Sequence, residues 1–228
     1  MGWAGLPITL ARAHRAMAVG TRLTVSVPGG EPGALTDLLA GAGFEVDVVA
    51  ASGGRVWADV RRARTLADTV APGQRVLVCG LNPSVVSADA GYGFAGPTNR
   101  FWRAAVASGL VTRPRDPLAC AHEDGVGMTD LVKRATANAA ALAAEEYRAG
   151  AARVRRLVEW TGPGIVLFVG LAGWRTAVDR HARPGLQPTG FGGAPAYVMP
   201  STSGLNASAS LEILTAHMAA AVALARPA

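Results

Sequence analysis

Apolar and polar positions fall into short blocks whose period changes along the chain. Thr21 to Val27 (TRLTVSV) alternates, the period of a half-buried strand. After Pro28-Gly29-Gly30, Leu35, Leu38 and Leu39 share one face of a helix over Glu31 to Ala42. Phe44 to Val49 and Arg55 to Val60 read as strands around the turn Ser52-Gly53-Gly54, and Arg61 to Val70 as a short helix before Ala71-Pro72-Gly73. This predicts a small β-α-β-β-α module over residues 21–73, to which the sequence assigns no role.

From Arg75 the pattern changes. Val76-Leu77-Val78-Cys79 is a continuous apolar run stopped by Gly80, as expected of a strand buried on both faces. Gly127 to Val132, Ile165 to Val169 and Tyr197 to Met199 read as further strands or strand ends. Between and after them lie helical stretches: Asn99 to Leu110 with Phe101, Trp102, Ala105 and Val106 inward, Ala139 to Glu159, Gly173 to Arg180, and Ser208 to Ala225. Thr112 to Cys120, with two prolines, reads as a loop. Strands alternating with helices predict an α/β class: a three-layer α/β/α domain over 74–228 with a short, mainly parallel central sheet.

The first twenty residues are mildly apolar, and Arg12 and Arg15 interrupt the stretch where a signal sequence would be unbroken. They are expected to be a disordered tail of a cytoplasmic protein, with Met17 as an alternative start. No apolar run is long enough to span a bilayer, so no membrane partner is expected.

Composition changes this picture only a little. A net charge of +6 over 228 residues fits a polyanionic partner. Yet Lys133 is the only lysine, and an arginine excess beside so much Ala, Gly and Pro is equally the mark of GC-rich codons. Arg61, Arg62 and Arg64 could touch phosphate; a solvated helix face is the simpler reading. Cys79 and Cys120 make no disulfide framework and no C-x-x-C or Cys/His metal pattern, so no metal or organic cofactor is expected.

The chemistry concentrates where the first core strand ends. In open α/β sheets ligands bind beyond the carboxyl ends of the strands. Gly80-Leu81-Asn82-Pro83-Ser84 lies there, and Pro83 pushes Asn82 towards an extended backbone. This turn, with Gly93-Phe94-Ala95 and Pro97-x-Asn99-Arg100-Phe101-Trp102, resembles the mismatch-specific uracil/thymine-DNA glycosylase family of the uracil-DNA glycosylase superfamily. A second match, Met199-Pro200-Ser201-Thr202-Ser203-Gly204-Leu205-Asn206, appears in the family's order. The resemblance covers roughly Arg75 to His217 and leaves the first seventy or so residues unexplained.

The resemblance implies a monofunctional glycosylase of base excision repair that removes uracil, with thymine or damaged cytosine as further candidates, from mispairs with guanine in double-stranded DNA. It implies that Asn82 orients the attacking water, and that Leu81 and the Phe94-Ala95 backbone stabilise the departing base. Phe94 would stack on the flipped base, and Ser87, Ala88 and Asp89 would line its pocket. Ser201, Thr202, Ser203 and Gly204 would hold flanking phosphates, Leu205 would fill the gap left in the stack, and Asn206 would reach the widowed base. Some members carry a basic residue where this chain has Asp130. A carboxylate there either helps activate water or merely caps a helix or pairs with Lys133 or Arg134. Lys133, read as surface-facing, is not expected to act as a Schiff-base amine.

Such a protein would be nucleoid-associated and monomeric. The rival reading is a DNA-damage-binding protein that keeps the fold without catalysis. A nucleotide-binding enzyme has little support, since neither a G-x-G-x-x-G after the first strand nor a Walker lysine is present.

Overall fold

Residues 2–225 are described in the computed structural model; Met1 and residues 226–228, the outer ends of the expected tail and catalytic domain, lie outside them. The expected tail is in fact ordered. After a 3-10 turn at Trp3–Gly5, α1 (Leu6–Ala16) starts with Pro7 in its first turn and buries Leu6, Leu10 and His14, spaced four apart on one face. The arginines that interrupt the apolar pattern, Arg12 and Arg15, lie on its exposed side.

α1 packs with α2 (Pro32–Gly41) on a three-stranded antiparallel sheet of β1 (Arg22–Pro28), β2 (Phe44–Ser52) and β3 (Arg55–Arg62), in the order β1-β3-β2. Leu6, Leu10, Leu35, Leu39, Val27, Phe44 and Val60 form its core. The helix expected over Arg61 to Val70 does not form. β3 continues through Arg62, and the next residues run as a strap onto the second domain. The strap's polar groups find partners there: Thr65 Oγ1 donates to the Lys133 carbonyl, and the Thr69 N–H donates to the Met128 carbonyl at 2.9 Å. Ser, Thr and Asp side chains that bond elsewhere compete with helix formation.

The second domain holds β4 (Val76–Gly80), α3 (Val85–Ala90), α4 (Phe101–Ala107), α5 (Pro117–Glu123), β5 (Val126–Asp130), α6 (Ala144–Thr161), β6 (Val166–Val169), α7 (Leu171–Ala177), β7 (Gly185–Leu186), β8 (Ala196–Met199) and α8 (Leu211–Leu224). The sheet order is β5-β4-β6-β8-β7, parallel except for the short edge strand β7. α3 and α5 occupy segments that read as loops. Their starts are capped by Ser84, which accepts from the Ser87 N–H, and by Asp116, which accepts from the Ala119 N–H.

Strand pleating produces the three layers. Val76, Val78, Leu167, Tyr197 and Met199 face one core with Phe101, Trp102, Leu214 and Met218. Leu77, Cys79, Val166, Phe168 and Val198 face the other, with Tyr147, Val154, Leu157 and Trp174. Successive side chains of a strand point to opposite faces, so continuous apolar runs supply both cores at once.

The two units are joined by a buried ion cluster. Asp68 of the strap is buried; its carboxylate accepts from Lys133 Nζ at 2.8 Å and Arg153 Nη1 at 2.8 Å. Arg153 also donates to Thr129 Oγ1 at 3.1 Å and to the Asp130 carbonyl at 2.8 Å. Lys133, read as surface-facing, is therefore drawn inward by Asp68. Burial by itself would raise the Asp68 carboxyl, but the Lys133 and Arg153 charges outweigh it and hold it below the ordinary carboxylate value. Its stabilisation is present above about pH 4 and is lost as the pH falls below that. Asp68→Ala, which leaves two buried cations without their anion, should lower unfolding free energy by about 3–5 kcal/mol at pH 7, with a smaller loss at pH 3, in urea titrations.

Candidate active site

The pairing of β4 with β5 continues beyond both strands. Leu131 N–H donates to the Gly80 carbonyl and Val132 N–H to the Leu81 carbonyl, each at 2.9 Å, and Thr136 N–H donates to the Pro83 carbonyl at 3.1 Å. This brings the segment after β5 against the Asn82 turn. Asn82 Nδ2 donates to Thr136 Oγ1 at 2.8 Å and to the Arg134 and Pro83 carbonyls at 3.1 Å each. Carbonyls only accept, so these bonds settle which end of the amide is NH2. Asn82 Oδ1 has no partner among the described residues and is the free acceptor. Thr136, which helps lock it, carries no signal in the sequence.

Gly80 and Asp130 are opposed in the β4–β5 register. A Cβ on Gly80 would run into Asp130 Oδ1 and reach within 3.5 Å of the Phe94 ring, so glycine leaves the carboxylate its place. The alternatives for Asp130 are not met: Lys133 pairs with Asp68 and Arg134 pairs with Glu146 at 2.7 Å. The Asp130 carboxylate makes no hydrogen bond among the described residues. Burial raises its pKa to about 6; Lys133 opposes the rise, Asp68 adds to it, and Arg153 opposes it.

Asp130 and Phe94 both line a cavity of about 280 Å³. Tyr92, Ala88, Asp89 and Thr69 also line it, and α1 and β3 contribute His14, Arg15 and Arg62. Asn82 lies outside the lining. Phe94 has a positive φ of 59°, rare for a residue with a side chain. Its ring lies flat on Phe101, centroids 3.9 Å apart, and the loop before it is held by Trp102 Nε1 donating to the Gly93 carbonyl at 2.9 Å. One ring face is covered by Phe101.

A family model, Uracil DNA glycosylase superfamily, matches residues 67–225. The chain belongs to the uracil-DNA glycosylase superfamily. It is therefore a DNA glycosylase, a hydrolase of N-glycosyl bonds acting on uracil in DNA within base excision repair. The match begins in the strap, takes in Asp68, and leaves α1, α2 and β1 to β3 outside.

Several expected glycosylase residues are placed differently. The Leu81 side chain packs against Gly173 of α7 and the second core, and the role expected of Leu81 concerns its backbone alone. Ser87 is buried, and its hydroxyl accepts from the Ala95 N–H at 3.2 Å, which engages the donor expected at the base edge.

In the second-motif loop, Leu205 is 97% exposed, as a wedge into DNA requires. Thr202 is buried and is not presented to a phosphate. Ser201 Oγ and Ser203 Oγ accept from the N–H groups of Ser203 and Leu205 at 3.3 Å, so both hydroxyls also shape the loop. Asn206 Nδ2 donates to the Ser201 carbonyl at 2.8 Å, and Oδ1 accepts from Ser208 Oγ at 2.7 Å. The second N–H of Asn206 Nδ2 has no partner among the described residues. Gly204 lies so close to Thr98 that a Cβ would overlap its side chain.

The loop is organised by Arg100, quoted in the first motif without a role. Its guanidinium donates to the carbonyls of Ser203 at 2.8 Å, Asn206 at 2.7 Å, and Ala209, while its N–H donates to Thr202 O at 3.0 Å. A lysine has three donors on a single nitrogen and cannot reproduce the planar spread of Nη1 and Nη2 that reaches these carbonyls. Arg100→Lys should lower the Tm by about 3–8 °C and weaken duplex binding, read by thermal unfolding and fluorescence anisotropy.

Proposed function

We propose that this glycosylase is monofunctional and mismatch-specific, removing uracil, and thymine where it fits, from mispairs with guanine in duplex DNA. The observation that carries the reading is the amide of Asn82, locked by three acceptors so that only Oδ1 is left for a water, together with an unpaired carboxylate at Asp130.

The flipped nucleotide places its base on the free face of Phe94. Asn82 holds a water through Oδ1 and orients it towards C1′ of the deoxyribose. As the N1–C1′ bond breaks, its electron pair leaves with the base and the sugar gains oxocarbenium character. Asp130, ionised above about pH 6, stabilises that charge and accepts the proton that water loses as its oxygen bonds to C1′. The products are a free base and an abasic sugar. Strand cleavage needs an amine to form a Schiff base, and the only lysine, Lys133, is committed to Asp68.

The test is single-turnover base release from duplexes with U·G, T·G and U·A pairs and from single-stranded uracil, with alkali added afterwards to reveal abasic sites. Uracil release from U·G that outpaces U·A and needs alkali for a nick supports the reading; equal rates on U·G and U·A sink mismatch specificity. Duplex binding without base release favours a damage-binding protein. Asn82→Ala should cost about 10²–10⁴-fold in rate. Wild-type rates should rise as the pH passes about 6, because the carboxylate must be ionised. Asp130→Asn should abolish that limb and, by removing a charge held in a partly buried place, raise the Tm at pH 8 but not at pH 4. An unchanged limb would remove Asp130 from the mechanism.

A further inference from the structure

The cavity beside Asp130 has a wall that the superfamily match does not include. Arg15 of α1 and Arg62 of β3 both line it, with His14 of α1. Arg62 donates Nε to the His14 carbonyl at 2.9 Å and makes no other side-chain bond among the described residues. Arg15 makes none.

The carboxylates nearby are engaged or set apart. Asp89 is held by Arg64 through two bonds of 2.7 and 2.6 Å, and Asp68 by Lys133 and Arg153. Asp130 shares the cavity but bonds to neither arginine. Burial lowers the Arg62 pKa, and burial together with the Arg62 charge lowers His14 to about 4, so His14 is neutral at pH 7. A half-buried guanidinium with free Nη groups, beside an imidazole that gives up its own charge, is a site short of an anion.

We propose that Arg15 and Arg62 bind a backbone phosphate of the DNA strand that carries the flipped nucleotide, which makes the N-terminal module part of the DNA grip. This rests on the glycosylase reading, in which the base lies on Phe94. Phe94 and the two arginines line one cavity, so a strand that delivers its base there brings a flanking phosphate along the arginine wall. Planar guanidiniums suit the paired oxygens of a phosphate better than ammonium groups do. The strap and its ion cluster hold the module in register with Asp130, because Arg153 bonds both Asp68 and the Asp130 carbonyl.

The experiment measures binding of the full chain to a U·G duplex bearing uncleavable 2′-fluorodeoxyuridine, over a series of salt concentrations. Each lost phosphate contact makes the slope of log K against log salt shallower by about 0.9. Arg15→Ala and Arg62→Gln should each make the slope shallower, the double variant by about 0.9 in all as the one phosphate contact is lost, and Arg15→Glu should bind more weakly than Arg15→Ala. Arg148→Ala, from an exposed pair with Glu145 on α6, should keep the wild-type slope. If Arg62→Gln fails to fold by circular dichroism, Arg15 decides, because it is exposed and bonds nothing.

Wild-type slopes in the Arg15 variants would overturn the proposal. So would deoxyuridine monophosphate losing as much affinity as the duplex, since the site would then serve a free nucleotide. Slopes do not depend on turnover, so an enzyme that binds DNA but releases no base would refute the glycosylase mechanism while leaving this test intact.

Discussion

The parallel pairing of β4 and β5 is the constraint on which the site depends, and it matters most where the strands themselves have ended. Hydrogen bonds from Leu131, Val132 and Thr136 back to Gly80, Leu81 and Pro83 set two turns side by side. That ladder lets Thr136 and the Arg134 carbonyl fix the Asn82 amide, and sets Asp130 beside Gly80, where the absence of a side chain gives its carboxylate room. Two loops that were independently mobile could not hold an amide and a carboxylate in one geometry; a shared backbone ladder does so at little entropic cost per added bond.

Around this ladder the protein places charge unevenly. Asp68 neutralises Lys133 and Arg153 immediately behind β5, and Asp130 is left unpaired at its end. Breaking the buried cluster strands charge in a dry place, whereas ionising Asp130 already carries that cost. The stable part of the electrostatics therefore supports the strained part. The same cluster ties the strap to the catalytic sheet, so the N-terminal module is docked through the residues that surround the active site. Arg100 plays the corresponding role for the second-motif loop, gathering carbonyls so that Leu205 is held out into solvent.

The sequence by itself determined the fold class and the place of the two motifs that carry the family resemblance. Short continuous apolar runs ending in glycine and alternating with helical stretches point to a parallel sheet, because strands covered by helices are buried on both faces. The Gly80–Ser84 turn lay at a strand's carboxyl end on that argument alone, and the family resemblance named Asn82, Phe94 and Leu205 without coordinates. Asp130 was legible as a carboxylate beside the expected pocket. Its partnerships were not: Lys133 and Arg134, adjacent in sequence and equally eligible, turn to Asp68 and Glu146.

Only the tertiary structure decided matters that depend on distant partners. Leu6, Leu10 and His14 make a helix because a sheet waits for them, and Arg12 and Arg15, which interrupt the apolar run in sequence, form its wet face. The helix expected over Arg61 to Val70 gave way to a strap because Thr65, Asp68 and Thr69 gain partners in another domain that local propensity cannot anticipate. Thr202 and Asn206 carry polar groups suited to DNA, but folding turned the first inward and bound the second to its own loop. A pattern records which side chains are polar; which of them are left unsatisfied, and so available to a substrate, is settled when the chain closes on itself.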